Sequence, residues 1–266
     1  MNTGSLDSAW ERLLQPPHCR LASEIEPVEI MADNRPIFRK CVAVLRQYMT
    51  KGVSARAPLK GFLFEGPPGT GKTELAWQIA REASLLIPPG KGCVYVVYLD
   101  GASIASPRWG DAEQTLVAAF SLHSSPRIEE DSRVVLVFDD IESLMLARSL
   151  DIAKEWHFSI NAVLFHALDR LDSSKNFVLA TTNRPDLIDT ALRDRLYSIY
   201  VDPPSKEALL QVASGLLRDM GDIDQPFLDA ISGRVGKRLD EMDSPTLRDV
   251  QRLVVMECVE SGVWEL

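Results

Sequence analysis

The stretch Gly66-Pro67-Pro68-Gly69-Thr70-Gly71-Lys72-Thr73 constrains this chain more than any other part of it. It satisfies G-x-x-x-x-G-K-S/T in full. It lies between a short apolar run, Gly61–Glu65, and a run with helical spacing, Thr73–Ser84. A strand before and a helix after are the context that separates a phosphate-binding loop from a chance cluster of glycines. Glycines let consecutive backbone N–H groups turn towards one anion, and the N-terminus of the following helix adds partial positive charge. Lys72 has the reach for the β- and γ-phosphates of a nucleotide. The Thr73 hydroxyl suits Mg2+, which keeps most of its waters and takes only one or two protein oxygens. Glu74 directly follows and is grouped with the loop.

The rest of the chain reads as alternation. Arg35 to Tyr48 has helical spacing, with Ile37, Val42, Leu45 and Tyr48 near one face, and Ala55 to Lys60 is a loop. After the phosphate loop, Cys93–Leu99 is β-branched and aromatic, hence a strand, and Ala112–His123 is helical. Val134–Phe138 is apolar throughout, as a strand covered on both faces should be. A helix over about Ser159–Leu171, a strand at Asn176–Thr181 and a short strand at Ser198–Val201 complete the pattern. Strands alternating with helices predict right-handed crossovers and a parallel five-stranded sheet with flanking helices. Pro203–Pro204 stops the alternation. Beyond it Leu209, Leu210, Ala213, Leu216 and Leu217 repeat at helical spacing, and Phe227–Ile231 and Leu247–Val259 continue in helix. The expected organisation is an N-terminal extension at 1–35, made irregular by Pro16, Pro17 and Pro27, then an α/β subdomain at 36–204 and a small all-α subdomain at 205–266.

Composition narrows the function classes. Of 266 residues, 45% are hydrophobic and 25% charged, which excludes wholesale disorder. The net charge of −9 makes a poor general binder of nucleic acid or of anionic membrane. The longest apolar runs are strand-sized, far below the ~18 residues of a membrane span. The first fourteen residues mix Asp7, Glu11 and Arg12 with apolar ones and carry no signal-peptide core. Cys19, Cys41, Cys93 and Cys258 are scattered without metal spacing, as expected of reduced thiols in a cytoplasmic protein.

Two strand ends carry further chemistry. Val134–Phe138 runs into Asp139-Asp140. There Asp139 can accept from a Mg2+ hydration shell and Asp140 can polarise an attacking water; the bland alternative is a helix N-cap pair. The next buried strand runs into Thr181-Thr182-Asn183. The Asn183 amide could orient that water or touch a γ-phosphate, or simply form an Asx-turn before Pro185.

Taken in this order, the motifs resemble those of the AAA+ ATPases. Gly66–Thr73 is similar to their Walker A, Val134–Asp140 to Walker B and Asn183 to sensor 1. Ala191-Leu192-Arg193-Asp194-Arg195 resembles the arginine-finger segment, and Ser244–Val250, with Arg248, the sensor 2 helix of the lid. A narrower likeness is to the pachytene-checkpoint AAA+ ATPases, which remodel HORMA-domain proteins. It is carried by Tyr98-Leu99-Asp100-Gly101-Ala102-Ser103, Asp140-Ile141-Glu142-Ser143-Leu144 leading to Ala147-Arg148, Ile160-Asn161-Ala162-Val163-Leu164, and Asp194-Arg195 ahead of Pro203-Pro204-Ser205. Bacterial members of that group accompany antiviral cyclic-nucleotide signalling operons. The resemblance implies ATP and Mg2+ as ligands, a homo-oligomeric ring that is usually a hexamer, and a protein substrate met directly or through an adaptor. It also implies that Arg195, with Arg193 as second candidate, reaches into a neighbour's site, and that Arg248 couples lid to nucleotide.

The chain departs from the family pattern in three ways. Walker B ends in Asp139-Asp140, not Asp-Glu, so the base is retracted by one methylene; hydrolysis is then expected to be slow, or the loop to sit closer and compensate, since a ~1 Å misplacement can cost ~10²-fold. About 35 residues ahead of the ATPase cannot hold a recognition domain with its own core. The pore-loop aromatic is displaced, with Arg108-Trp109 directly before Gly110. Trp109 is read as gripping an extended polypeptide, against the alternative of packing on its own domain. Two other functions stay in view. A DNA-associated ATPase would need Arg35, Arg39, Lys40, Lys51, Arg56 and Lys60 to form a basic stripe, where a solvated face is the simpler reading. A weakly hydrolysing ATP-binding scaffold would follow from Asp140.

Overall fold

Apolar runs dictate the centre of the molecule. The computed structural model describes residues 3–51, 59–88, 90, 92–101, 110–144, 155–219 and 224–262. Its elements, in chain order, are α1 (Thr3–Leu13), β1 (Cys19–Leu21), α2 (Arg35–Lys51), β2 (Gly61–Glu65), α3 (Lys72–Ser84), β3 (Val94–Asp100), α4 (Asp111–Ser121), β4 (Arg133–Asp139), α5 (Glu155–Arg170), β5 (Asn176–Thr182), α6 (Thr190–Arg193), β6 (Tyr197–Tyr200), α7 (Lys206–Asp219), α8 (Gln225–Asp240) and α9 (Leu247–Glu260). Val134 to Phe138 of β4 and Asn176 to Thr182 of β5 are buried without a break, so the two central strands are covered on both faces.

The sheet runs β1-β3-β4-β5-β2-β6, and every pair except β1–β3 is parallel. The register aligns the carboxyl ends: Asp100 pairs with Asp139, Phe138 with Ala180 and Phe64 with Thr181. The end of β2 at Gly66 and the polar ends of β4 and β5 therefore emerge at one edge, where open α/β sheets bind ligands.

Two expectations need correction. The sheet has six strands, not five, because β1 adds an antiparallel edge to β3, pairing Cys19 with Val97 and Leu21 with Tyr95. Nor are the described residues ahead of position 36 irregular, since they form α1 and β1. The prolines at 16 and 17 fall after α1 and end it; they do not prevent it. α1 lies on α4 and contributes Ala9 and Leu13 to the main core, while Trp10 Nε1 donates to the Ala118 carbonyl at 3.0 Å. Arg127 clamps Asp7 with two bonds of 2.9 and 2.7 Å.

The chain divides into two compact units. The first is Met1–Val28, Ile37–Gly66 and Lys72–Tyr200; the second is Glu29–Pro36, Pro67–Gly71 and Val201–Leu266. The second has its own core, in which α7, α8 and α9 bury Leu209, Ala213, Ile231, Val235, Val250 and Val254. Glu257 is also buried there, held by Arg234 Nε at 2.6 Å and Arg238 Nε at 2.8 Å. Among the described residues no helix is long and apolar enough to cross a membrane. None of the four cysteines is in a disulfide, and Cys93 alone is partly exposed.

Candidate nucleotide site

The loop after β2 takes its shape from residues without Cβ atoms. Gly69 (φ 76°) and Gly71 (φ 85°) lie in the left-handed region. A Cβ at Gly69 would stand 2.7 Å from Thr246 Cβ, within the same unit. There the Leu247 N–H donates to the Gly69 carbonyl at 3.1 Å, and Asn34 Nδ2 donates to the Thr70 carbonyl at 3.2 Å. Thr246 begins α9 by a reciprocal cap with Asp249. Thr70 Oγ1 donates to the Pro67 carbonyl. Lys72 is buried, and its Nζ donates to the Gly66 carbonyl at 2.9 Å, so its charge is folded back onto the residue that follows β2.

Thr73 and the strand ends form one network. Thr73 Oγ1 donates to Asp139 Oδ1 at 2.8 Å, and Thr181 Oγ1 donates to the same oxygen at 2.6 Å. Tyr98 Oη donates to Asp139 Oδ2 at 2.9 Å. Burial first, then this bond to Asp139, pushes the Tyr98 phenol well above its ordinary pKa, so it stays a donor. The Asp140 N–H donates to Thr181 Oγ1 at 3.2 Å. Asp140 itself has φ 48°, ψ 53°, a costly conformation for a residue with a Cβ and one that clusters at functional sites. Its carboxyl accepts from Asn183 Nδ2 at 2.7 Å. Desolvation first, then the charges of Glu142 and Asp139, raise the Asp140 pKa, which makes it a better proton acceptor when ionised. Glu142 Oε1 accepts from the Asn183 N–H at 3.1 Å, while its Oε2 is buried with no hydrogen-bond partner among the described residues.

Thr73, Asp139, Asp140 and Asn183 are thus brought together as the motifs suggest. Thr181, Tyr98 and Glu142 join them without having been singled out. Thr181 had a signal, its place at a strand end level with Asp139. Tyr98 stood in a stretch that carries the narrower likeness, but nothing there pointed to this contact beyond a hydroxyl on a strand aromatic.

The arginines are placed differently. Arg195 Nε and Nη2 grip the two oxygens of Asp169 at 2.8 and 2.9 Å, Nη1 donates to the Ala191 carbonyl, and the guanidinium lies 4.8 Å over the Phe165 ring. Arg193 pairs with Glu65 at 3.2 Å. Their ion-pair partners are thus Asp169 and Glu65, although the charges of Asp194 and Asp189 also favour the Arg195 guanidinium. Arg248 is exposed in the first turn of α9, and Glu74 Oε1 accepts from Gln78 Nε2 one turn along α3. Arg108, Trp109, Ala147 and Arg148 lie outside the described residues. The supposed basic stripe is broken: Lys60 is buried, with Nζ on the Leu171 carbonyl, and Arg35 is paired with Glu29.

This arrangement fits a nucleotide with Mg2+. In the second unit Gly69 and Gly71 leave no side chain on the loop; in the first, Lys72 holds a transferable charge on the Gly66 carbonyl, and Thr73 with Asp139 offers an all-oxygen donor pair of the kind Mg2+ takes. Among the described residues no group of three His, Cys, Asp or Glu side chains is arranged to hold a metal on its own.

Comparison with known proteins agrees. Residues 62–203, more than half of the chain, match the family model "ATPase family associated with various cellular activities (AAA)". The chain is 31% identical over 192 residues to the ATPase family AAA domain-containing protein FIGL1 of Arabidopsis thaliana, covering 69% of this chain and 26% of that protein. It is 32% identical over 164 residues to the pachytene checkpoint protein 2 homolog of Oryza sativa subsp. indica, covering 59% of this chain and 35% of that one. It thus spans about a quarter to a third of the length of these relatives. Its fold is shared with a chain of the E. coli MS115-1 HORMA:CdnC:Trip13 complex, with TM-score 0.68 at 18% identity over 89% of this chain and 84% of that one. A complete phosphate loop, a buried strand ending in paired carboxylates and a family match across both lead to one conclusion: the chain belongs to the AAA family of ATPases.

Proposed function

We propose that this chain hydrolyses ATP with Mg2+ and uses the energy to remodel a protein partner, working as a homo-oligomeric ring with six copies as the expected number. The observation that carries this reading is the network joining Thr73, Asp139, Thr181, Asp140 and Asn183 at the carboxyl edge of the sheet. In this reading Gly66–Thr73 cradles the phosphates, and Lys72 gives up its bond to the Gly66 carbonyl in favour of a phosphate oxygen. Thr73 and Asp139 hold the Mg2+, which when bound neutralises charge on the phosphates. Asp140 takes the proton of the attacking water, which Asn183 orients. Arg195 of a neighbouring copy stabilises charge on the transferring group, with Arg193 in support, and Arg248 links the helical C-terminal part, from about residue 205, to the bound nucleotide.

The retracted Asp140 supports slow turnover. A second reading, a scaffold that binds ATP and hydrolyses almost none, is favoured by one observation: Arg195 is engaged within its own chain by Asp169. For the substrate we put forward a HORMA-domain protein in a bacterial antiviral setting, met directly or through an adaptor. The similarity to the pachytene checkpoint relative, and the fold shared with a chain from a HORMA-containing complex, support that choice.

The test uses the full chain and a HORMA-domain protein from the same genome. Lys72→Ala is expected to weaken binding of a fluorescent ATP analogue on the order of 10²-fold. Trp109→Ala is expected to keep binding and phosphate release but to stop conversion of the HORMA protein. Undiminished nucleotide binding in Lys72→Ala would overturn the site, and normal processing by Trp109→Ala would overturn the threading.

A further inference from the structure

We propose that Tyr98 is a positioning residue for Asp139, fixing its second carboxylate oxygen so that the first keeps one set orientation towards the Mg2+ shell. The proposal rests on the reading of Asp139 as the carboxylate nearest that metal. The oxygens of Asp139 are used unequally. Oδ1 takes both threonine hydroxyls, Thr73 at 2.8 Å and Thr181 at 2.6 Å, while Oδ2 takes the Tyr98 hydroxyl at 2.9 Å. The terminal torsion of an aspartate is broad and roughly two-fold. Two donors on one oxygen leave the carboxylate able to pivot about that oxygen. A third donor on the other oxygen removes the pivot.

Tyr98 is itself held from two sides. Its N–H donates to the His18 carbonyl at 2.7 Å, which ties it to the segment entering β1. Its ring stacks on Trp77, with centroids 5.4 Å apart and planes 20° from parallel, and Arg20 of β1 covers the Trp77 ring at 5.0 Å. Trp77 lies four residues after Thr73 on α3, and residues at that spacing share a helix face. The contacts therefore close a ring. α3 presents Thr73 to Asp139 and Trp77 to Tyr98, and Tyr98 returns to Asp139 from β3. In this way the helix that follows the phosphate loop and the carboxylate of the neighbouring strand keep one mutual placement. None of this needs the hydroxyl for packing, because the stack and the backbone bond would survive in phenylalanine.

That makes Tyr98→Phe the decisive variant. Binding of N-methylanthraniloyl ADP to the full chain is titrated with Mg2+ and in EDTA, beside Asp139→Asn and Arg20→Ala. Tyr98→Phe is expected to leave the affinity in EDTA unchanged. It should raise the Mg2+ concentration needed for half of the metal-dependent gain by about ten-fold, the size of one hydrogen bond to a charged acceptor. Arg20→Ala should move the same quantity in the same direction by less. If Tyr98→Phe overlays the parent while Asp139→Asn loses the metal-dependent gain, the role of Tyr98 is overturned and the site stands. If Asp139→Asn also keeps that gain, the site itself is misread. Equal weakening with and without metal would show Tyr98 serving only the fold, and would overturn the proposal too.

Discussion

The end of β4 and the segment after β5 carry the two kinds of charge that the proposed chemistry needs, and they are built in opposite ways. Asp139 is held by three hydroxyl donors from three separate elements, each fixed within the sheet or on α3. Arg195 is held by a carboxylate at the surface, the Asp169 side chain being 55% exposed, while Arg193 is paired with Glu65, whose side chain is only 14% exposed. An interior network of this kind sets geometry before any ligand arrives. An exposed ion pair is worth little and is readily exchanged for another. Asp139 is thus held from within one chain, whereas Arg195, the cation proposed to serve a neighbouring copy, rests in an ion pair that exchange could open.

Three measurements break or sharpen that contrast. The largest effect is expected from Arg195→Ala. In concentrated, assembled protein it should lower the turnover number by ~10³-fold or more, as for a cation supplied by a neighbour, with nucleotide affinity unchanged. Loss that is equally large in dilute monomer would place Arg195 in its own site and end the contrast. Asp140→Glu comes next. Restoring the missing methylene is expected to raise turnover by up to ~10²-fold, read as phosphate release, with Asn183→Ala removing the gain. The smallest effect is expected from Asp169→Asn, which frees Arg195 and should cost less than ~1 kcal/mol in a melting experiment because the pair is exposed. Pairing holds the Asp169 carboxyl below its ordinary range. Its contribution is therefore present above the unfolded pKa and lost as the pH falls through the lowered one. The parent and Asp169→Asn should melt alike in acid and differ only towards neutrality.

Much of this was legible in the residues. Gly61–Glu65 forms a strand with the expected bounds, and β4 and β5 are each within a residue or two of theirs, because an unbroken apolar run between turn signals admits few other structures. The loop could be read because its glycines and lysine are contiguous. What could not be read was short or distant. β1 is three residues long, too short for any periodicity to register, and α1 was obscured by the prolines that follow it. Asp169 lies 26 positions from Arg195, and Tyr98 lies 41 from Asp139. Contacts of that kind arise from strand order and register, which local patterns do not specify.

The antiparallel strand at the rim has a practical consequence. A shortened chain starting at residue 36 would look sensible from the motifs alone, yet it would strip β1 from β3 and leave a row of backbone donors and acceptors unpaired. Such bare edges invite strands from other molecules. Clumps formed that way would elute as large particles and could pass for genuine rings, so sizing of trimmed material would answer the wrong question.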